Sequence, residues 1–302
     1  MIHVCRCPAI RTPFSFDFLW QMMNLKLYCR VHDIPKVAVQ FDPAPPDFEP
    51  VFGRGDKANL DGIMRPILKM LGILEVTGAT PDFEVPCDNM STWVEAYKTY
   101  GWLPPKLKPE RVWNDWVEEQ YTDPFWKDMV TITRRESSYQ AYRNSNVQEW
   151  FKIGEWLRRR AYSVLFIRDT AKAFDRPEAF AISADAAKNL HVRVSIYQRA
   201  KMNLFTANGP GTICTATNDI PYLMMIPPST IDMFERLQKD FNVAHIGDIK
   251  PRGYLETDQW TAWLGIAKNE QIPWANTKKQ RLEWQAEDTY ANIRNALEQL
   301  EF

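Results

Sequence analysis

The chain has 302 residues, 45% of them hydrophobic and 25% charged, a balance that suits a globular protein of one large or two ordinary domains. Its formal net charge of -1 excludes a whole-molecule field that would draw it to nucleic acid or to an anionic membrane. No apolar run approaches the ~20 residues of a membrane helix, and the opening "MIHVCRCPAIRTPFSFDFLW" lacks the apolar core and cleavage site of a signal peptide.

In chain order, residues 2–5 read as a short strand and Asp17–Tyr28 as a helix. "KVAVQF" (36–41) reads as a second buried strand, and the prolines of "DPAPPDFEP" (42–50) require a loop. Leu60–Leu71 predicts a helix that Pro66 bends and Gly72 stops. The stretch 85–125 is irregular and aromatic, with "LPPKLKP" as the expected connection between domains 1–125 and 126–302.

The second half alternates more legibly. "DMVTITR" (128–134) predicts a strand, followed by a helix along whose face Val147, Trp150, Phe151, Gly154 and Leu157 recur at period 3.6. Ser145 with Gln148, or Asn146 with Glu149, has capping-box spacing at its start. "YSVLFI" (162–167) is the next strand, apolar on both faces as a central parallel strand must be. "VRVS" (192–195) predicts another short strand, Ile196–Met202 a helix, "NLFTA" (203–207) a strand, "NGPG" (208–211) a turn, Thr212 a helix start, and "YLMMI" (222–226) a strand. Leu282–Leu300 predicts a terminal amphipathic helix with Trp284, Tyr290, Ile293, Leu297 and Leu300 as its stripe. Strands and helices alternating in this way argue for an open parallel α/β sheet.

Such a sheet binds ligands beyond the carboxyl ends of its strands, where three loops fall. The first carries Arg134, Arg135 and Arg143 with Asn144 and Asn146; the second Arg168, Asp169 and Thr170; the third Asn208, Gly209, Pro210, Gly211 and Thr212. Arginine forks grip two phosphate oxygens at once. Glycines admit close backbone approach, and the first amides of a helix are unpaired donors. Asp169 suits a ribose or sugar hydroxyl. Each feature also has a plainer reading: arginines paired with Glu136, Glu149 or Asp169, an ordinary tight turn, and a helix cap. Their joint placement at one edge is what points to a diphosphate.

The five cysteines (Cys5, Cys7, Cys29, Cys87, Cys214) are odd in number and scattered, the pattern of reduced thiols in a cytoplasmic protein. No second Cys or His pair completes Cys5-Arg6-Cys7, so no metal is expected and the pair reads as small buried strand residues. His191 and His245 lack metal-ligand spacing and read as packed or surface residues. The absence of GxSxG, P-loop and GxGxxG patterns leaves acyl transfer, NTP hydrolysis and dinucleotide redox chemistry without local support.

The same loops resemble a bacterial glycosyltransferase-like family with two Rossmann-like domains and a cleft between them (GT-B-like). The residues that carry it are "TITRRESSYQAYRNSNVQEW", "YSVLFIRDT", "YQRAKMNLFTANGPGT" followed by "IPYLMM", and "QRLEWQAEDTYANI", with "PFSFDFLWQMM" and "ANLDGIMRPILKML" in the first half. A looser similarity is to GDP-fucose-dependent fucosyltransferases, though no His precedes the arginine pair and NGPG stands where those enzymes have serines. The resemblance implies a donor, GDP- or UDP-linked, held by the second domain, with Arg134 or Arg135 on its β-phosphate and no further cofactor. The first domain then presents a glycan or lipid-linked acceptor, with neither nucleic acid nor a membrane segment involved.

Metal-free transfer requires electrostatic stabilisation of the leaving diphosphate, and an inverting reaction also needs a general base. Asp17 in "FSFDF" is the first candidate base, ahead of His32, Asp33 and Asp42, and Glu136 is the rival from the donor side. Two other readings share these residues: a nucleotide-sugar epimerase or hydrolase, and a non-catalytic binding or assembly protein that keeps the fold.

Overall fold

The computed structural model describes residues 2–7, 16, 18–42, 59–85, 96, 99–137, 141–175, 180–217, 220–225, 227, 281–284, 287–300 and 302. The architecture is α/β with two Rossmann-like units, each built on a parallel sheet. The change-over lies between Lys108 and Pro109, inside the proline-bearing connection, and Ala216 and Thr217 group with the first unit.

The first unit contains β1 (His3–Cys7), α1 (Phe18–Val31), β2 (Val37–Phe41), a π-helical turn (Leu60–Met64) leading into α2 (Arg65–Leu71), β3 (Leu74–Glu75) and β4 (Phe83–Glu84). Its sheet has the order β3-β2-β1-β4, every neighbouring pair parallel. Pro66, which lacks an N–H to donate, sits where the π-helical turn passes into α2, and Gly72 ends the helix in the left-handed conformation at φ 64°. Cys5 and Cys7 are fully buried on one face of β1.

The second unit contains α3 (Arg111–Gln120), β5 (Met129–Thr133), α4 (Val147–Arg158), β6 (Ser163–Ile167), β7 (Ala181–Ile182), α5 (Ala184–Lys188), α6 (Leu190–Arg199), β8 (Met202–Thr206), α7 (Thr212–Thr215), β9 (Tyr222–Met225), β10 (Arg281–Trp284) and α8 (Tyr290–Gln299). The sheet order is β10-β9-β8-β5-β6-β7, all parallel. Numbered from β5 as strand one, this is the doubly wound order 3-2-1-4-5-6, so the direction of winding reverses between β5 and β8. Val130, Ile132, Val164, Phe166, Leu204 and Leu223 from the sheet pack with Trp150, Ile153 and Leu157 of α4 and Ile293, Ala296 and Leu297 of α8.

Three elements differ from expectation. "VRVS" is not a strand but the middle of α6, opened by Asn189, whose Oδ1 accepts from the amides of His191 and Val192. Leu190 through Tyr197 are buried on every face, so no period-3.6 signal survives and the β-branched residues mislead. The tail is not one helix: Arg281–Trp284 adds a parallel edge strand to β9, and the helix begins only at Tyr290 behind its Thr289 cap. The capping box before α4 does not form, because the Asn146 amide donates to Asp288 Oδ2 and Glu149 accepts from the Tyr290 amide.

Candidate functional site

Parallel strands bring the carboxyl ends of β5, β6 and β8 to one edge, with β5 between the other two. The residues after β5 open the site. The Arg134 amide continues the ladder by donating to Ile167 O, which keeps its side chain close to the sheet. Its guanidinium is enclosed, 4.9 Å over the Phe151 ring and 5.6 Å from that of Phe166, with Nη2 donating to Glu136 Oε2 at 3.1 Å. Nε and Nη1 have no hydrogen-bond partner among the described residues, and burial lowers the Arg134 pKa from its ordinary value.

Arg168, at the end of β6, holds Glu136 from the other side through two bonds, Nε to Oε2 at 2.8 Å and Nη2 to Oε1 at 2.7 Å. Burial alone would raise the Glu136 pKa, but hydrogen bonding from Arg168 and the charges of Arg134 and Arg168 more than offset it and hold the carboxyl below its usual value. A carboxylate gripped by two guanidiniums is a poor proton acceptor. Glu136 and Arg134 therefore act here as a buried ion-pair layer beneath the loop, which disfavours the expected roles in base catalysis and direct phosphate contact.

Arg135 faces a different set. Its backbone N–H donates to Ser145 Oγ at 2.9 Å and Nη1 donates to Asn144 Oδ1 at 2.6 Å. Asn144 Oδ1 also accepts from the Ser137 amide, and Asn144 Nδ2 donates to Ser137 O. Asn144 thereby closes the loop on itself and fixes the Arg135 fork. Arg143, half-buried, donates from Nη2 to Ala207 O at 3.3 Å, so the loop after β5 touches the chain leaving β8 across the winding reversal.

The segment after β8 turns tightly. Asn208 Oδ1 accepts from the Gly211 amide at 2.8 Å, and the amides of Thr212, Ile213, Cys214 and Thr215 are taken up by carbonyls of Gly209, Pro210 and Gly211. The expected row of open helix-start amides is thus absent: α7 is a single turn whose donors are internally paired. Gly211 has a packing reason, since a Cβ there would run into the Phe205 ring. Asn208 Nδ2 remains a buried donor with no partner among the described residues, and Thr212, four residues further on, is buried.

Asp169 lies half-buried at the start of a 3-10 turn (Thr170–Lys172), with no side-chain cap bond, on the β6 side of β5 rather than the β8 side. Asp17 lies outside the described residues, as does His245. Of the other first-half acids and His, Asp42 pairs with Arg6 at 2.9 Å and His32 packs on Tyr28. His191 Nδ1 accepts from the Glu110 amide at 3.1 Å, a packing role between α6 and the start of α3.

A cluster that sequence reasoning missed supports the site from below. Asp288, 5% exposed, accepts at Oδ2 from the Asn146 amide at 2.7 Å and from Trp150 Nε1 at 2.8 Å. Thr206 Oγ1 lies 3.1 Å from both Asp288 Oδ2 and Ser145 Oγ, and its single proton serves one of them at a time. Burial raises the Asp288 pKa despite these donors. One carboxylate thus ties the end of β8, the start of α4 and, through Ser145, the backbone of Arg135. The spacing of 142 residues between Asn146 and Asp288 leaves no local signal of this contact.

No family model matches the chain, and no curated protein matches it. Among solved structures, that of a glycosyl transferase of family 9 from Veillonella parvula matches with a TM-score of 0.47 and 8% identity, over 89% of this chain and 96% of that one. At that TM-score the likeness decides nothing about this chain, and its chemistry rests on its own residues.

Proposed function

We propose that the protein is a metal-independent glycosyltransferase that moves a sugar from a nucleotide-diphosphate donor to a hydroxyl of a glycan or lipid-linked acceptor. The observation that carries this reading is the contact between Arg143 and Ala207 O, which draws the arginine loop and the Asn208 turn together where the sheet's winding reverses. Arg135 and Arg143 supply charge to a departing diphosphate, Asn144 holds the Arg135 fork, and the unpartnered Asn208 Nδ2 offers a donor to a phosphate or ribose oxygen. Asp169 reaches a sugar hydroxyl from the β6 side, and Gly209 and Thr212 shape the turn. Arg134, Arg168 and Glu136 form the floor rather than the contact surface. Asp17 is the proposed general base on sequence grounds.

The closed Glu136 pair and the paired amides of α7 also favour a second reading, a nucleotide-binding protein without transfer activity. Thermal-shift and calorimetric titration with GDP, UDP, CDP and their sugars tests the first step. One of them is expected to bind, with Arg143→Ala weakening it by about tenfold or more, the loss of a charge-assisted hydrogen bond. Absence of binding by every nucleotide, or unchanged affinity in both Arg135→Ala and Arg143→Ala, overturns both readings. Release of nucleoside diphosphate only when acceptor is added separates transfer from mere binding; release without acceptor indicates hydrolysis.

A further inference from the structure

The first unit contains a cavity of about 670 Å³ that the proposed reaction does not use. Ile2 leads into β1, Lys36 leads into β2, which Val37 begins, and Leu74 begins β3, so three parallel strands contribute their amino ends to it. That edge is opposite to the one at which doubly wound sheets hold their ligands. The far wall is the last turn of α1 and the residues after it, where Ile34 is anchored by its amide donating to Cys29 O at 2.8 Å. The volume falls within the range typical of small-molecule sites, about 300–1,000 Å³.

The lining has an unusual charge. Lys26 and Arg30 stand one turn apart on the same face of α1, a like-charge spacing that destabilises a helix by a few tenths of a kcal/mol. Lys36 adds a third cation from the sheet side, and Asp33 is the one carboxylate in the wall. None of the three cations forms an ion pair among the described residues. Arg30 has a local explanation, since a cation in the last turn complements the helix dipole; Lys26 and Lys36 have none. The Tyr28 and Cys29 carbonyls, which would repel an anion, are already taken by the His32 and Ile34 amides. Burial lowers the Lys26 pKa, as expected of an ammonium removed from water without a counter-charge.

The remaining wall is apolar, and two large side chains on it stay open to water: Ile2 is 48% exposed and Leu74 56% exposed. A free inorganic anion would leave that surface wet, and an uncharged apolar ligand would leave the cations unused. We propose that this cavity is a binding site for a small amphiphilic anion, a carboxylate carrying an apolar chain, distinct from the nucleotide site of the second unit.

Octanoate is the probe, titrated calorimetrically into the full chain near neutral pH, with acetate and octylamine as controls lacking the chain and the negative charge. Saturable binding of octanoate is expected, with neither control binding at the same concentration. Lys26→Met keeps the apolar stem and removes the half-buried charge, so it should fold and yet weaken octanoate by at least tenfold, as should the exposed-site variant Lys36→Glu. Nucleotide affinity should be unchanged in both, so that loss of this site and failure of the transferase reading give different results. Octanoate failing to saturate, octylamine binding equally well, or octanoate affinity unchanged in both variants overturns the proposal.

Discussion

Glu136 illustrates how burial decides what a charge can do. With Arg134 on one side and Arg168 on the other, its carboxylate is worth more as a counter-ion than as a base. Glu136→Ala should cost about 3–5 kcal/mol, because two guanidiniums lose their shared partner in a poorly solvated layer. Arg134→Met should cost much less, since an apolar side chain can fill the space between Phe151 and Phe166. Chemical denaturation of the two variants checks the order. The lowered Glu136 pKa gives stability that is present above the unfolded carboxylate pKa and lost as pH falls through the folded one, so the wild type should weaken in that acid window.

Asp288 has the opposite sign. Its pKa is raised in the folded state, so the native protein holds the proton more tightly and loses stability as pH climbs from the ordinary Asp value through the raised one. Asp288→Asn retains an acceptor and should flatten that slope in a series of melting curves. Asp288→Ala leaves the Asn146 amide without an acceptor, at about 1–3 kcal/mol, and the Trp150 indole with Thr206 Oγ1 at 3.2 Å in place of the carboxylate. It should also weaken nucleotide binding, because Arg135 loses its anchoring through Ser145 and Thr206.

At the scale of elements, α6 and the turn after β8 are held by local devices that can be tested one at a time. Asn189→Ala removes the one oxygen that accepts from two amides at the start of α6 and should cost about 1 kcal/mol. Gly211→Ala drives a methyl group into the Phe205 ring and should cost about 1–3 kcal/mol by overpacking. If that variant instead folds normally and loses only nucleotide affinity, the glycine serves ligand approach rather than packing. β5, β6, β8 and β9 were readable because short apolar runs bounded by turn residues have few other solutions. α3 was hidden in a segment read as irregular, and β7 is two residues long, too short for any pattern.

For the whole molecule, the parallel sheets and their winding order govern where ligands can sit. Leu297→Ala in α8 should cost about 2–5 kcal/mol, since that side chain is fully buried against the sheet, and urea denaturation measures it. The sequence by itself determined the α/β class, the alternation of the second half and the edge at which the arginine and NGPG loops gather, because periodicity and turn chemistry are local properties. Tertiary structure decided which arginines are walled in and which face the winding reversal. It also turned the amides of α7 inward and placed Asp288 beneath a loop 142 residues earlier in the chain. Ion pairing and burial depend on distances between segments remote in sequence, and no local pattern encodes those distances.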